Sequence, residues 1–166
     1  MITIIIAIIF IIADQLTKLW VLNNLMPVRD IPIIDGVLHL HYAENTGAAF
    51  SMLEGMQWLF SSIAIIASIA IIIFVLTRKN KLHILATISA GLIVSGAIGN
   101  LIDRIRFGYV IDFVYVKIIN FAIFNVADSC VVVGSILLSI YILFIHDKLQ
   151  EKENNIKSDA KDKENE

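Results

Sequence analysis

Between Gln57 and Leu76 the sequence reads QWLFSSIAIIASIAIIIFVL, an apolar stretch without a single charged side chain. A helix rises about 1.5 Å per residue, so about 20 residues are enough to cross a hydrocarbon core of about 30 Å. A continuous apolar run of this length predicts a helix, because the strands of membrane barrels are shorter and alternate between apolar and polar side chains. This stretch therefore decides the class of fold, which is that of a membrane protein.

Three more stretches of similar length and composition lie on either side of the first. The four predicted spans cover residues 2–22, 57–76, 82–102 and 126–146. The chain of 166 residues is 58% hydrophobic and 17% charged, whereas soluble domains are about half apolar and about a quarter charged. We predict a membrane all-α fold, a bundle of four transmembrane helices that forms one domain over residues 1–146. The first thirteen residues contain no Lys or Arg, so we expect them to remain as part of the first span and not to be a removable signal.

The connection between the first two predicted spans has the pattern of a short strand. Residues 37–42 alternate after the turn signal Asp35-Gly36, and both prolines of the chain lie in this connection. We expect residues 27–56 to form a small extracytoplasmic β-sheet segment on the membrane surface. Residues 107–125 are a mixed connection, too polar to span. The tail, residues 147–166, contains five Lys and seven acidic residues and is expected to be disordered.

The orientation in the membrane depends on a small charge difference. The basic residues on the side of the termini are Arg78, Lys79, Lys81, Lys148 and Lys152. Those on the opposite side are Arg29, Arg104, Arg106 and Lys117. The positive-inside rule then favours, by one residue, a cytoplasmic position for both termini.

Unusual polar side chains gather on the opposite side from the termini. Helices that alternate in direction bring together the end of span one, the start of span two, the end of span three and the start of span four. The polar residues at these ends and in the connections beside them are Asp14, Lys18, Asn45, Asn100, Asp103, Arg104, Asp112, Asn125 and Asp128. An ionisable side chain at the centre of a span costs about 2.5 to 3.5 kcal/mol on insertion scales, so its presence calls for a reason.

Each of these residues, taken alone, could be an ordinary polar residue at the end of a membrane helix. Asp128 lies near the start of its helix, where the dipole favours a negative charge, and Asn125 could be the cap of that helix. The set as a whole favours a site, because the other ends of the spans contain no cluster of carboxylates inside the apolar stretches.

Two aspartates held close together in a partly dehydrated place share one proton. One carboxylate can then activate water while the other protonates the carbonyl or the leaving group, which is the chemistry of an aspartic protease. The residues alone do not separate Asp112 from Asp103 as the partner of Asp128.

Five blocks of the sequence carry a resemblance that does separate them. The chain resembles the lipoprotein signal peptidase (signal peptidase II) family. The blocks are Asp14-Gln-Leu-Thr-Lys18, Asn45-Thr-Gly-Ala-Ala-Phe50, Gly99-Asn-Leu-Ile-Asp-Arg104, Val110-Ile-Asp-Phe113 and Phe124-Asn-Val-Ala-Asp128. Glu44 stands where a basic residue is often found in the family.

The resemblance implies a role for each residue of the set. It implies catalysis by Asp112 and Asp128, substrate contacts for four residues and structural support from three others. From the residues themselves we expect Asp103 and Arg104 to form a structural ion pair. The four substrate-contacting residues are Asn45, Asn100, Arg104 and Asn125, and the three supporting residues are Asp14, Lys18 and Asp103.

The resemblance also implies the substrate and the setting of the reaction. The substrate would be a bacterial prolipoprotein, cut just before a cysteine that carries diacylglycerol, at the extracytoplasmic face of the cytoplasmic (inner) membrane. Water is the nucleophile, so no metal and no organic cofactor is expected. We further expect a monomer, contact with membrane lipid and sensitivity to globomycin-type peptide inhibitors.

Other functions are less well supported. A proton-coupled carrier would place polar groups through the full depth of the bundle, whereas residues 63–74 and 131–138 are almost wholly apolar. His39 and His41 share a strand face, but no His-Glu-x-x-His motif accompanies them, and we interpret them as surface residues. No motif supports a protease that uses Ser51 with Lys18, and no basic stripe indicates nucleic-acid binding. Cys130, the only cysteine, is interpreted as a packing residue.

Overall fold

Four long helices make up most of the protein in the computed structural model, which describes residues 2–47, 57–78 and 82–146. They are α1 (Ile2–Trp20), α2 (Gln57–Arg78), α3 (Ile84–Phe107) and α4 (Val126–Tyr141). Helices α1 and α4 are extended by the π-helical turns Val21–Leu25 and Ile142–His146.

All four helices are long and apolar enough to cross a membrane, which confirms the predicted bundle. Large apolar side chains are exposed along their outer faces, as expected where lipid takes the place of water. Helix α3 continues five residues beyond the predicted end of the third span, and this extension includes Asp103 and Arg104. It ends at Gly108, whose φ of 80° is readily adopted only by glycine.

Helix α3 is the central helix of the bundle. It packs against α1, α2 and α4, and half of its apolar stretch is buried. Glycines allow the close approach: a Cβ atom at Gly99 would lie 2.6 Å from Oδ2 of Asp14 on α1 and 3.1 Å from the Cβ of Ala127 on α4. Small residues at helix interfaces are typical of membrane bundles.

A three-stranded antiparallel sheet covers one end of the bundle. Its strands are β1 (Asp30–Ile34), β2 (Leu38–Asn45) and β3 (Val110–Val116), in the order β1-β2-β3. The turn between β1 and β2 contains Gly36 at φ 70°, in agreement with the turn signal.

The sequence prediction placed the sheet within residues 27–56 and missed β3. The first four residues of β3 are all buried, so the strand shows no alternation between apolar and polar side chains. The prediction for residues 48–56, and that for the tail from 147 to 166, lie outside the described residues.

An apolar cluster attaches the sheet to the end of α1. Its buried members are Val21, Leu25, Tyr42, Ile111 and Phe113. Strands β2 and β3 both contribute to this cluster. The end of β2 and the start of β3 are therefore held against the helices.

Candidate active site

Asn125 connects the two aspartates that the sequence prediction singled out. It is fully buried and caps α4, with its Oδ1 accepting a hydrogen bond from the Asp128 backbone N–H at 2.9 Å. Oδ2 of Asp128 in turn accepts from the Asn125 backbone N–H at 3.1 Å, which completes a capping box. The Asn125 side-chain Nδ2 donates to Oδ1 of Asp112 at 2.7 Å. One residue therefore fixes both carboxylates.

Two more asparagines complete the hydrogen bonding of these carboxylates. Asn45, the last residue of β2, donates from Nδ2 to Oδ2 of Asp112 at 2.9 Å. Asn100 of α3 donates from Nδ2 to Oδ1 of Asp128 at 2.7 Å, and its Oδ1 accepts from Asn125 at 3.1 Å. Every oxygen of the two carboxylates thus accepts a hydrogen bond.

Burial makes the charged form of Asp112 unfavourable. The residue is 2% exposed, and this desolvation, together with the nearby negative charge of Asp128, raises the pKa of Asp112 to about 7. The hydrogen bonds from Asn45 and Asn125 act in the opposite direction and lower it. A carboxyl group with a pKa near neutrality can hold or release a proton at physiological pH, as acid–base catalysis requires.

A buried ionic cluster adjoins the asparagines and contacts Asn100. The Lys18 ammonium is 3.0 Å from Oδ2 of Asp14 and 2.8 Å from Oδ2 of Asp103, and all three side chains are almost fully buried. Lys18 also donates to Oδ1 of Asn100 at 3.0 Å, which joins the cluster to the candidate site. The carboxylates accept from the backbone as well, Asp14 from Ala127 and Asp103 from Ile111. The cluster therefore links α1, α3, α4 and β3.

The expected ion pair between Asp103 and Arg104 is wrong. Asp103 pairs with Lys18 instead, because successive side chains of a helix point about 100° apart and those of Asp103 and Arg104 face different neighbours. Arg104 donates from Nη2 to the Gly47 carbonyl at 3.4 Å and lies over the Phe60 ring at 5.6 Å. Its buried Nε has no hydrogen-bond partner among the described residues.

A cavity of about 520 Å³ opens beside these groups. Its polar wall includes Asn45, Asn100, Arg104 and Asp128, and its apolar wall is formed by residues 121–124 and 131–133 together with Val110. The cavity thus places Asp128 and the guanidinium of Arg104 against a largely apolar space, which suits an apolar peptide or lipid.

Two features of the site region were missed or misread from the sequence. Gln15 donates to Oδ1 of Asp103 at 3.1 Å and to the Gly99 carbonyl at 3.3 Å. The sequence feature that could have indicated this role is the position of Gln15 next to Asp14 in the first block. His39, interpreted as a surface residue, is 3% exposed, and its Nδ1 lies 2.8 Å from Oδ2 of Asp30.

The fold and the site define a class: a protein with several membrane-spanning helices in which Asp128, hydrogen-bonded through asparagines to the buried Asp112, lines a largely apolar cavity. A family model described as signal peptidase (SPase) II matches residues 6–144. The chain belongs to this family, which confirms the resemblance seen in the five sequence blocks. It is therefore a peptidase with several membrane-spanning helices.

Individual relatives agree with this assignment over most of their length. A lipoprotein signal peptidase of Clostridioides difficile (strain 630) is 49% identical over 148 residues, which cover 89% of this chain and 99% of the relative. A lipoprotein signal peptidase of Clostridium acetobutylicum is 42% identical over 145 residues, with coverages of 86% and 94%. A solved structure described as a bacterial membrane enzyme superposes with a TM-score of 0.76 at 33% identity, over 85% of this chain and 87% of the other.

Proposed function

We propose that this protein is an intramembrane aspartic endopeptidase that removes the signal peptide from diacylglyceryl-modified prolipoproteins, cutting just before the lipidated cysteine. Membership in the signal peptidase II family supports cleavage of lipoprotein signal peptides. The aspartic mechanism rests on one observation: Asn125 hydrogen-bonds both Asp112 and Asp128, and so links the buried carboxyl group of Asp112 to that of Asp128, which lines the cavity.

The proposed reaction uses one proton on the pair of aspartates. Asp112, whose pKa is raised to about 7, can hold this proton near neutral pH, and Asp128 lies in the first turn of α4, where the helix dipole favours a negative charge. Asp128 takes a proton from water, whose oxygen attacks the scissile carbonyl carbon, and Asp112 gives its proton to the carbonyl oxygen. When the resulting gem-diol collapses, the proton held by Asp128 passes to the leaving amine as the C–N bond breaks, and one hydroxyl of the intermediate returns its proton to Asp112 as the new carboxyl group forms.

The neighbouring polar residues divide into two proposed roles. Arg104, Asn45 and Asn100 line the cavity and are placed to meet the substrate. Asn125 is fully buried, so we assign it the positioning of the two carboxylates in place of the substrate contact expected from the sequence. Asp14, Lys18 and Asp103 support the site from behind through the buried ionic cluster.

The position of the site along the helices supports a proposal for the setting of the reaction. Asp14 and Lys18 are late in α1, Asn100 and Arg104 are late in α3, and Asp128 opens α4. We propose that this end faces the extracytoplasmic side of the bacterial cytoplasmic membrane, with both termini in the cytoplasm. The scissile bond of a lipid-anchored peptide lies at that level, and a monomer without metal or organic cofactor is sufficient. Globomycin-type peptides are proposed inhibitors.

Substitution of each aspartate tests the mechanism. Asp112→Asn and Asp128→Asn, assayed separately on a lipidated precursor in bilayer nanodiscs, should each lower cleavage on the order of a thousandfold, since general acid–base catalysis contributes about 10² to 10⁴. Asp30→Asn is the matched control: it removes a carboxylate that contacts His39 and His41 in the sheet, and should retain cleavage. If a well-folded variant of either proposed catalytic aspartate cleaved at the normal rate, the aspartic mechanism would be rejected.

The substrate class is tested with two versions of one precursor. The lipidated form should be cut before its modified cysteine, and the same peptide without diacylglycerol should remain intact. Equal cleavage of both forms would show a general membrane protease. Mass spectrometry of the products locates the cut.

A further inference from the structure

Four exposed isoleucines lie together at one end of the sheet. Ile33 and Ile34 at the end of β1 are each 55% exposed, and Ile118 and Ile119, just after β3, are 65% and 67% exposed. The two pairs are joined through Val37, whose carbonyl accepts from the N–H groups of Lys117 and Ile118, while its own N–H donates to the Ile34 carbonyl. We call these four residues the sheet tip.

The sheet tip lies at the opposite end of the strands from the candidate site. In the pairing of β2 with β3, Asn45 faces Val110 at the site end, whereas Leu38 faces Val116 beside the tip. The exposure of the four isoleucines is therefore not explained by the cavity next to Asp128.

An apolar surface of this kind needs a cover, since large exposed apolar patches on proteins mark contacts with partners or membranes. A strand added to β1, from a second copy or from a peptide, is disfavoured. Pro32 has no N–H group to donate, and the register between β1 and β2 is irregular from Pro32 to Ile34.

Nearby residues indicate lipid as the cover. Trp20 at the end of α1 and Trp58 at the start of α2 are 46% and 69% exposed, and exposed tryptophans at helix ends are typical of the membrane interface. β1 begins ten residues after Trp20, and two exposed apolar residues, Met26 and Val28, lie between them. Exposed apolar side chains are thus present, among polar ones, between the end of α1 and the sheet.

The charged residues beside the tip also suit shallow insertion. Lys117 adjoins Ile118 and can place its ammonium among lipid phosphates while its aliphatic stem lies along the tip. Asp35, in the turn next to Ile34, has a side chain that is 97% exposed and can remain in the aqueous layer.

We propose that the sheet tip inserts into the boundary between headgroups and acyl chains of the leaflet at the site end of the helices. The partner is the lipid surface itself. Insertion holds the sheet along the membrane and fixes the depth of its site end, where β2 and β3 carry Asn45 and Asp112. The proposal depends on the membrane location of the bundle and not on the catalytic role of the two aspartates.

Spin labels on the full-length protein test this proposal. In a Cys130→Ala background, single cysteines are introduced as Ile34→Cys and Ile119→Cys, with Glu44→Cys as the matched control because Glu44 is exposed at the other end of the same sheet. The labelled proteins are placed in nanodiscs of phosphatidylethanolamine and phosphatidylglycerol, and collisions with oxygen and with a water-soluble nickel chelate are measured. Labels at 34 and 119 should collide more with oxygen and less with nickel than the label at 44.

Two results would overturn the proposal. Equal access of nickel to all three labels would place the tip in water. Dipolar broadening between labels at position 34 or 119 of different molecules would show that a second copy, and not lipid, covers the tip. The readout is a collision rate, so it stands whether or not the variants cleave, and loss of the dyad mechanism would leave it unchanged.

Discussion

Asn125 holds both candidate catalytic carboxylates, but with different groups. Its backbone N–H and its Oδ1 engage Asp128 as part of the cap of α4, while its Nδ2 reaches Asp112 on β3. Helix capping and the positioning of the site are thus the work of one residue. A shift of the start of α4 relative to β3 would therefore disturb the hydrogen bonds that join the two aspartates.

The pKa of Asp112 leads to a prediction about pH. Below about 7 its carboxyl group keeps the proton that the proposed mechanism needs. As the pH rises through this value, Asp112 loses its proton and can no longer protonate the carbonyl oxygen. We therefore expect kcat/KM for a lipidated precursor to fall on the alkaline side with an apparent midpoint near 7, a value that describes the pair as a whole. A rate that stays constant well above this pH contradicts the assignment.

Asn45→Ala should move that midpoint to higher pH. The Nδ2 of Asn45 donates to Oδ2 of Asp112 and lowers its pKa, so its removal makes the charged carboxylate still less favourable. Full pH profiles of the wild type and the variant, with precursor in the same nanodiscs, give the comparison. A shift of the alkaline limb to lower pH would mean that Asn45 does not stabilise the ionised form.

Asp103→Asn should mainly affect stability. Lys18 and Asp103 form a pair at 2.8 Å with almost no solvent exposure, and breaking a buried pair costs roughly 3 to 5 kcal/mol. We expect a lower free energy of unfolding in detergent-driven denaturation, together with a smaller loss of cleavage than in either dyad variant. In a double-mutant cycle with Lys18→Met, the two changes should be less than additive, because each removes the same pair. Strict additivity would show that the pair contributes little.

Among the elements, α3 depends on glycine to approach its neighbours. A Cβ atom at Gly96 would collide with the backbone carbonyl of Ala127 and lie 2.6 Å from Cγ2 of Val131, both on α4. Towards the other end of α3, a Cβ atom at Gly91 would lie 2.8 Å from Ile6 and 2.9 Å from the Thr3 carbonyl, both on α1. The two positions therefore test separate interfaces of the same helix.

Gly96→Ala and Gly91→Ala form a matched pair of variants. Each should lower stability by about 1 to 3 kcal/mol, the usual cost of overpacking. Gly96→Ala should also reduce cleavage by the folded enzyme, because it displaces the start of α4, where Asn125 and Asp128 lie. Gly91→Ala should leave the turnover of the folded fraction close to normal. Equal losses of turnover in both variants would remove the link between this interface and the site.

At the scale of the whole molecule, the proposed orientation is open to a direct test. The basic residues on the two sides of the membrane differ by only one, so charge alone gives a weak preference. In a Cys130→Ala background, a cysteine at Glu44 should react with a membrane-impermeant maleimide in intact spheroplasts, whereas a cysteine at the exposed, uncharged Thr77 should react only after lysis. The opposite pattern would place the site on the cytoplasmic side.

Much of this architecture follows from local properties of the sequence. The length of the apolar runs predicted the four helices, and the alternation of helix direction brought Asp14, Asn100 and Asp128 to one end of the bundle. The β1–β2 turn was visible in Asp35-Gly36. These features depend on hydrophobic length and on the conformational preferences of neighbouring residues, which the sequence contains directly.

The tertiary structure alone decided which polar groups meet. Strand β3 was not predicted because its first four residues are all buried, so that apolar and polar side chains do not alternate. The partner of Asp103 was misassigned because Lys18 lies 85 residues away in the sequence. The two side chains come within 2.8 Å only when α1 packs on α3. The bond from Asn125 to Asp112 likewise requires β3 to dock beside the start of α4. Sequence determined that carboxylates would gather at one end of a membrane bundle; packing determined which of them pair, because contacts between distant residues depend on the relative positions of whole helices and strands.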